Sequence, residues 1–175
     1  AKRPLIRRAL SGAMARMLDY NNRQIAAHAH GHLVSASQCA AFLSEVYKVP
    51  AAATAVIAQG IPDSYLAESP PVGEDRLHRL LHVGQCAFIK GDIVLGRVVT
   101  ELLLANAKAT FSWVCAAEHH AVARSYFGSE VQNRIHLVNQ MEQHELRAVY
   151  DSHGVFLFPS FFEGFGKAFL EAMSR

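Results

Sequence analysis

The sequence predicts an α/β fold: a parallel sheet with helices on both faces, preceded by part of a second α/β domain. Three observations carry this. From Arg79 onward, short apolar runs alternate with helical stretches of roughly 10–15 residues, the rhythm of βαβ units. The apolar runs are continuous rather than alternating, as in strands covered on both faces. The chain is 51% hydrophobic and 18% charged, which favours a packed core over disorder.

Taken in order, residues 4 to 24 read as an amphipathic helix. Pro4 suits its first position, and Leu5, Ile6, Ala9, Leu10, Ala13, Met14, Met17 and Leu18 recur on one face. Lys2, Arg3, Arg7, Arg8 and Arg16 fall largely off that stripe. They read as a solvated basic face or as a peripheral membrane contact through residues 2–18. His28, His30 and His32 alternate ahead of Leu33. On one strand they would point the same way, toward a metal, but no carboxylate or cysteine at ligand spacing accompanies them. A loop entering a strand is the reading taken, with no bound metal expected. His119 and His120, adjacent on a helix, would not face one site.

Leu33 to Ser37 is a short strand ending in a helix-capping serine. Gln38 to Tyr47 is the following helix, stopped by Pro50, and Thr54 to Ala58 is the next strand. Residues 1–62 are thus expected to be the remnant of one domain and 63–75, with Pro70, Pro71 and Gly73 among charges, a linker. The second domain spans 76–175. Its strands are Leu80–Gly84, Thr110–Cys115, Arg134–Val138 and Val155–Phe158, and its helices are Asp92–Ala107, Glu118–Phe127, Glu142–Tyr150 and Lys167–Met173.

Bulk properties narrow the function. A net charge of +2 does not favour nucleic acid as a partner. Three widely spaced cysteines, Cys39, Cys86 and Cys115, make no disulfide framework, so a reducing, cytoplasmic compartment is expected. No apolar run approaches the ~18 residues of a membrane span.

The most informative stretch is the last. After the strand, Pro159 stops the ladder, and Glu163-Gly164-Phe165-Gly166 opens a helix whose amides suit a phosphate. Glu171 lies eight positions after Glu163, roughly 12 Å along a helix axis at ~1.5 Å per residue. That spacing spans from a sugar, across a diphosphate on the Gly164–Gly166 amides, to a ribose. Taken alone, Glu163 is a charge favoured by the helix dipole and Glu171 a solvated helix residue. The strand, Pro-Ser, aromatic pair and glycines around them favour the ligand reading. Gly84-Gln85 to Lys90-Gly91 occupies the same predicted sheet edge. Lys90 reads either as a surface lysine or as a cation aimed at the diphosphate.

These residues resemble retaining glycosyltransferase family 4, enzymes of the two-domain B-type fold. The resemblance spans residues 33–173 and is specific at 84–91 and 155–173, where the pattern is apolar strand, Pro-Ser, Glu-Gly-Phe-Gly and Glu-Ala-Met. It implies a Rossmann-like donor-binding domain truncated at its C-terminus and a partial acceptor-side domain. It also implies a metal-independent hexosyltransferase without cofactor, cytoplasmic or at the inner membrane face, moving a sugar from a nucleoside diphosphate sugar to a hydroxyl of a carbohydrate or lipid-linked acceptor. In that reading Glu163 orients the sugar, Lys90 and the Gly164-Phe165-Gly166 amides hold the diphosphate, and Glu171 holds the ribose. Gly84 and Gln85 stand where the family has Gly-Arg. Gln85 brings hydrogen bonds but no charge, and Lys167 is placed to compensate. The loops at Ala116–Glu118 and Asn139–Met141 would hold the nucleobase. A binding module without turnover, and an epimerase or phosphorylase on the same architecture, are the alternatives.

Overall fold

The computed structural model describes residues 5–71 and 73–175. The chain forms two compact units, one ending at Gln59 and one running Gly60–Arg175. Lys2, Arg3 and Pro4 lie outside the described residues, as do the side chains of residues 5–10.

The first unit holds helix α1 (Leu5–His28), strand β1 (His32–Val34), helix α2 (Ser37–Tyr47) and strand β2 (Thr54–Val56). The strands pair in parallel, His32 opposite Thr54 and Val34 opposite Val56. Helix α1 continues past its expected end at Gln24, and the side chains of Met14, Met17 and Leu18 on its apolar stripe are exposed. His28 closes α1 while His32 opens β1, so the three histidines do not share a strand. Ser37 is already the first residue of α2. Ala36 takes the cap position and no side chain caps the first turn, because a helical backbone at Ser37 carries its hydroxyl past those amides. Among the described residues, no helix is long and apolar enough to cross a membrane.

In the second unit, α3 (Glu74–Leu77) precedes β3 (Arg79–Val83), α4 (Asp92–Ala105), β4 (Thr110–Cys115), α5 (His120–Arg124), β5 (Ile135–Asn139), α6 (Gln143–Ser152), β6 (Val155–Phe156) and α7 (Lys167–Met173). The four strands are parallel in the order β5–β4–β3–β6. The period-two geometry of the strands splits their apolar residues between two faces. On one face Leu80, Phe111, Trp113 and Ile135 pack on Leu95, Val99 and Leu103 of α4. On the other, Leu81 and Val114 pack with Tyr150 of α6 and with Tyr65.

Residues 63–75 are no free linker. Tyr65 is fully buried and its hydroxyl donates to the Gln143 carbonyl at 2.8 Å. Arg175 donates to the Ala67 carbonyl at 2.6 Å. The proline-glycine composition reports the turns, while the one aromatic residue among them reports the packing.

One buried and one half-buried histidine make this unit sensitive to acid. His82 on β3 is 1% exposed, and its Nδ1 meets the Leu157 carbonyl at 2.9 Å. His153 meets the Val149 carbonyl through Nδ1 at 2.7 Å and the Ser112 hydroxyl through Nε2 at 2.9 Å. Burial pushes both below the ordinary histidine value, the carbonyl bonds oppose it, and nearby cations lower them further. The unfolded chain therefore binds more protons than the folded one once pH falls below ~6.5. Stability is complete above that value and lost below it. The urea midpoint is expected to be lower at pH 5 than at pH 7.5, by at most about 1.4 kcal/mol per histidine per pH unit. Equal midpoints at the two pH values would refute the assignment of neutral rings.

Candidate functional site

The chain steps from β3 through β4 to β5, then crosses back to set β6 on the other side of β3. Open α/β sheets bind ligands where strand order reverses in this way, outside the C-terminal strand ends. Here that point lies between β3 and β6.

The loops leaving those two strands bring Lys90 and Glu163 together. The Lys90 ammonium lies 2.8 Å from both carboxylate oxygens of Glu163, with each side chain 24% exposed. A 3-10 turn over Phe88–Lys90 presents the lysine. Gly91 ends that turn at φ +74°, where a Cβ would overlap the Pro159 carbonyl, so only glycine lets the two loops pack this closely. The Phe161 amide donates to the Ile89 carbonyl at 2.9 Å, and the Phe88 and Phe161 rings lie 5.4 Å apart. Burial alone would raise the Glu163 carboxyl. Its bonds to Lys90 outweigh this and hold it below the ordinary carboxylate value. The Ser160 hydroxyl sits beside the carboxylate and favours the same direction without completing a hydrogen bond.

Past Glu163, α7 begins with Gly166 at its cap, φ +85°, and no side chain caps the helix. Phe165 is half-buried, while Gly164 and Lys167 are exposed. Glu171 is not a solvated helix residue. It is 5% exposed, with Gln143 donating to one oxygen at 2.8 Å and the Tyr150 hydroxyl to the other at 3.1 Å. Burial raises Tyr150, and the Glu171 charge raises it further, so the phenol stays a donor.

A cavity of about 200 Å³ opens at the ends of β3, β4 and β5, lined in part by Gly84, Gln85, Ala116, Gln140 and Met141. It is smaller than the ~300–1,000 Å³ of a complete small-molecule pocket and suits one planar part of a ligand. The two loops expected at a nucleobase, Ala116–Glu118 and Asn139–Met141, each contribute to its wall. Gln85 is exposed. Sequence reading passed over His82, Gln143 and Tyr150. The available signal was a histidine inside the apolar run of β3.

The doubly wound parallel sheet is the fold that comparison with known proteins identifies as that of B-type glycosyltransferases. Residues 78–175 match the model of the family described as glycosyl transferases group 1, and the chain belongs to that family. Solved structures agree on the fold. TarM of S. aureus, in a crystal with fondaparinux, alpha-GlcNAc-glycerol and UDP, superposes at a TM-score of 0.71 with 14% identity. The match covers 87% of this chain and 29% of TarM. A glycosyltransferase of Rickettsia africae gives 0.65 with 16% identity, over 81% of this chain and 41% of that one. The pneumococcal O-GlcNAc transferase GtfA, in complex with UDP and GlcNAc, gives 0.61 with 20% identity over 81% and 28%. The chain thus spans less than half the length of each of these structures. No curated protein sequence matches it.

Proposed function

We propose that this chain is the donor-binding part of a retaining glycosyltransferase that moves a hexose from a nucleoside diphosphate sugar to a hydroxyl acceptor. The observation that carries the reading is the Lys90–Glu163 pair at the reversal of strand order, directly ahead of Gly164–Gly166 and α7. A diphosphate arriving there competes with Glu163 for the lysine. Lys90 moves to the phosphates, with the amides at Gly164, Phe165 and Gly166, and stabilises charge on the leaving group. Glu163, released, orients sugar hydroxyls. Glu171 exchanges Gln143 or Tyr150 for ribose hydroxyls. The base enters the cavity between Gly84 and Gln140.

A thermal-shift screen of UDP-, GDP- and ADP-sugars tests this, because a ligand of the folded state raises its apparent stability. UDP-sugars come first, given the UDP in the crystals of TarM and GtfA. A rise with one donor series is expected, and no rise with any would sink the reading. Lys167, exposed at the first position of α7, stands in for the charge that Gln85 lacks. Lys167→Ala is expected to weaken donor binding by about 1.5–3 kcal/mol, the worth of a charge-assisted bond. Unchanged affinity removes that role.

The uncharged, exposed Gln85 favours a second reading, a module that holds nucleotide sugar without turnover. Donor binding by calorimetry, with neither hydrolysis nor transfer by mass spectrometry, selects it.

A further inference from the structure

Two buried polar atoms on the elements that lead to Lys90 and Glu163 have no hydrogen-bond partner: His82 Nε2 on β3 and Ser160 Oγ in the loop after β6. A buried polar group without a partner is costly, so native proteins keep few of them without a use. The state of the first is fixed by chemistry. His82 Nδ1 faces the Leu157 carbonyl, which only accepts, so Nδ1 carries the proton. Nε2 is then a bare lone pair that needs a donor. Trp113 and Phe156 pack against the ring, with centroids 5.4 and 6.5 Å away, and fix its plane.

The lone pair faces the donor loop. A Cβ on Gly84 would sit 3.0 Å from Nε2, tighter than ordinary packing. A side chain at residue 84 would press on Nε2, and glycine there avoids that contact. His82 Nδ1 bonds Leu157, at the start of the loop that carries Ser160 and Glu163, and Gly84 opens the loop that carries Lys90. The Ser160 hydroxyl adjoins the Glu163 carboxylate. With Lys90 drawn to a diphosphate, this corner holds the Glu163 carboxylate and the His82 lone pair, both acceptors, and one serine hydroxyl. Such a corner requires hydroxyl donors. Neighbouring hydroxyls of a sugar ring supply them, one to Glu163 and the next to Nε2, with Ser160 donating to the latter oxygen.

Resting on the donor reading above, we propose that His82 is a specificity residue that accepts a hydrogen bond from a hydroxyl of the donor sugar, with Ser160 as the second contact. An ordered water could fill the same corner, and the test separates the two. Calorimetry compares wild-type chain, His82→Phe, His82→Gln and Ser160→Ala. The probes are UDP-glucose, GDP-mannose and ADP-glucose, each beside its bare diphosphate.

If a sugar hydroxyl is read, His82→Phe weakens the bound nucleotide sugar at least about tenfold, the loss of one buried hydrogen bond. The bare diphosphate keeps its affinity. His82→Gln, which retains an acceptor, recovers part of the loss, and Ser160→Ala shows a smaller loss of the same pattern. If His82→Phe does not fold, Ser160→Ala and His82→Gln carry the comparison. Equal losses for sugar nucleotide and bare diphosphate, or no loss for either, overturn the proposal and leave the donor reading standing. Wild-type chain that binds none of the six probes overturns both.

Discussion

Lys90→Ala is expected to weaken nucleoside diphosphate binding by about 1.5–3 kcal/mol, the range for hydrogen bonds to a charged group. Two effects oppose each other. The variant loses the cation that meets the diphosphate. It also no longer has to break the Lys90–Glu163 pair before binding. With both side chains 24% exposed, that pair is partly screened and contributes about 1 kcal/mol or less. The loss therefore exceeds the relief. The variant carries a second signature: Glu163 keeps its burial but loses the bonds that hold its carboxyl down, so its titration moves up. Calorimetry with UDP and a carboxyl-detected NMR titration read the two effects separately. Unchanged affinity with a shifted Glu163 would make the lysine a partner of the acid alone. No change in either would remove Lys90 from the site.

What the sequence made legible depended on how local the determinant was. Strand Thr110–Cys115 and helix Lys167–Met173 appear with the boundaries read from the chain, because an apolar run and a glycine cap are local signals. The helix expected at Glu118–Phe127 is instead a 3-10 turn over Ala117–His119 followed by the five-residue α5, which ends at Arg124. Phe127 explains this. It is buried with its ring 5.6 Å from Phe111 and 6.2 Å from Trp113, and core packing overrides helix propensity there.

The site shows the same division. The spacing of Glu163, the glycines and Glu171 could be read along the chain. The partners could not, since Lys90 lies 73 residues from Glu163, and Gln143 and Tyr150 lie 28 and 21 residues from Glu171. Those contacts exist only once β6 docks beside β3, and strand order is a property of the whole sheet. His82 had a local signal, a polar residue in an apolar strand. The strand pattern absorbed it because one histidine does not break the run.

Trp113→Ala is expected to cost about 3–5 kcal/mol, the range for removing a buried large aromatic side chain. Against a typical total of about 5–15 kcal/mol, this places the second unit near unfolding at room temperature. Trp113 is the only tryptophan and is fully buried. It joins the α4 face of the sheet to the donor loop, because its indole N–H donates to the Gly84 carbonyl at 2.9 Å. Trp113→Phe separates the two functions. It keeps most of the aromatic contact with Phe127 but leaves the Gly84 carbonyl without this donor, an expected cost of about 1–3 kcal/mol. Gly84 lines the cavity at the strand ends and lies over His82, so the loosened loop should weaken UDP-sugar binding even where the fold survives. Urea unfolding followed by circular dichroism, with calorimetry on the folded variant, measures both quantities. A loss under about 1 kcal/mol for Trp113→Ala would contradict the burial argument. Normal donor affinity in Trp113→Phe would show that the loop holds its shape without the indole, and that the core and the site are joined elsewhere.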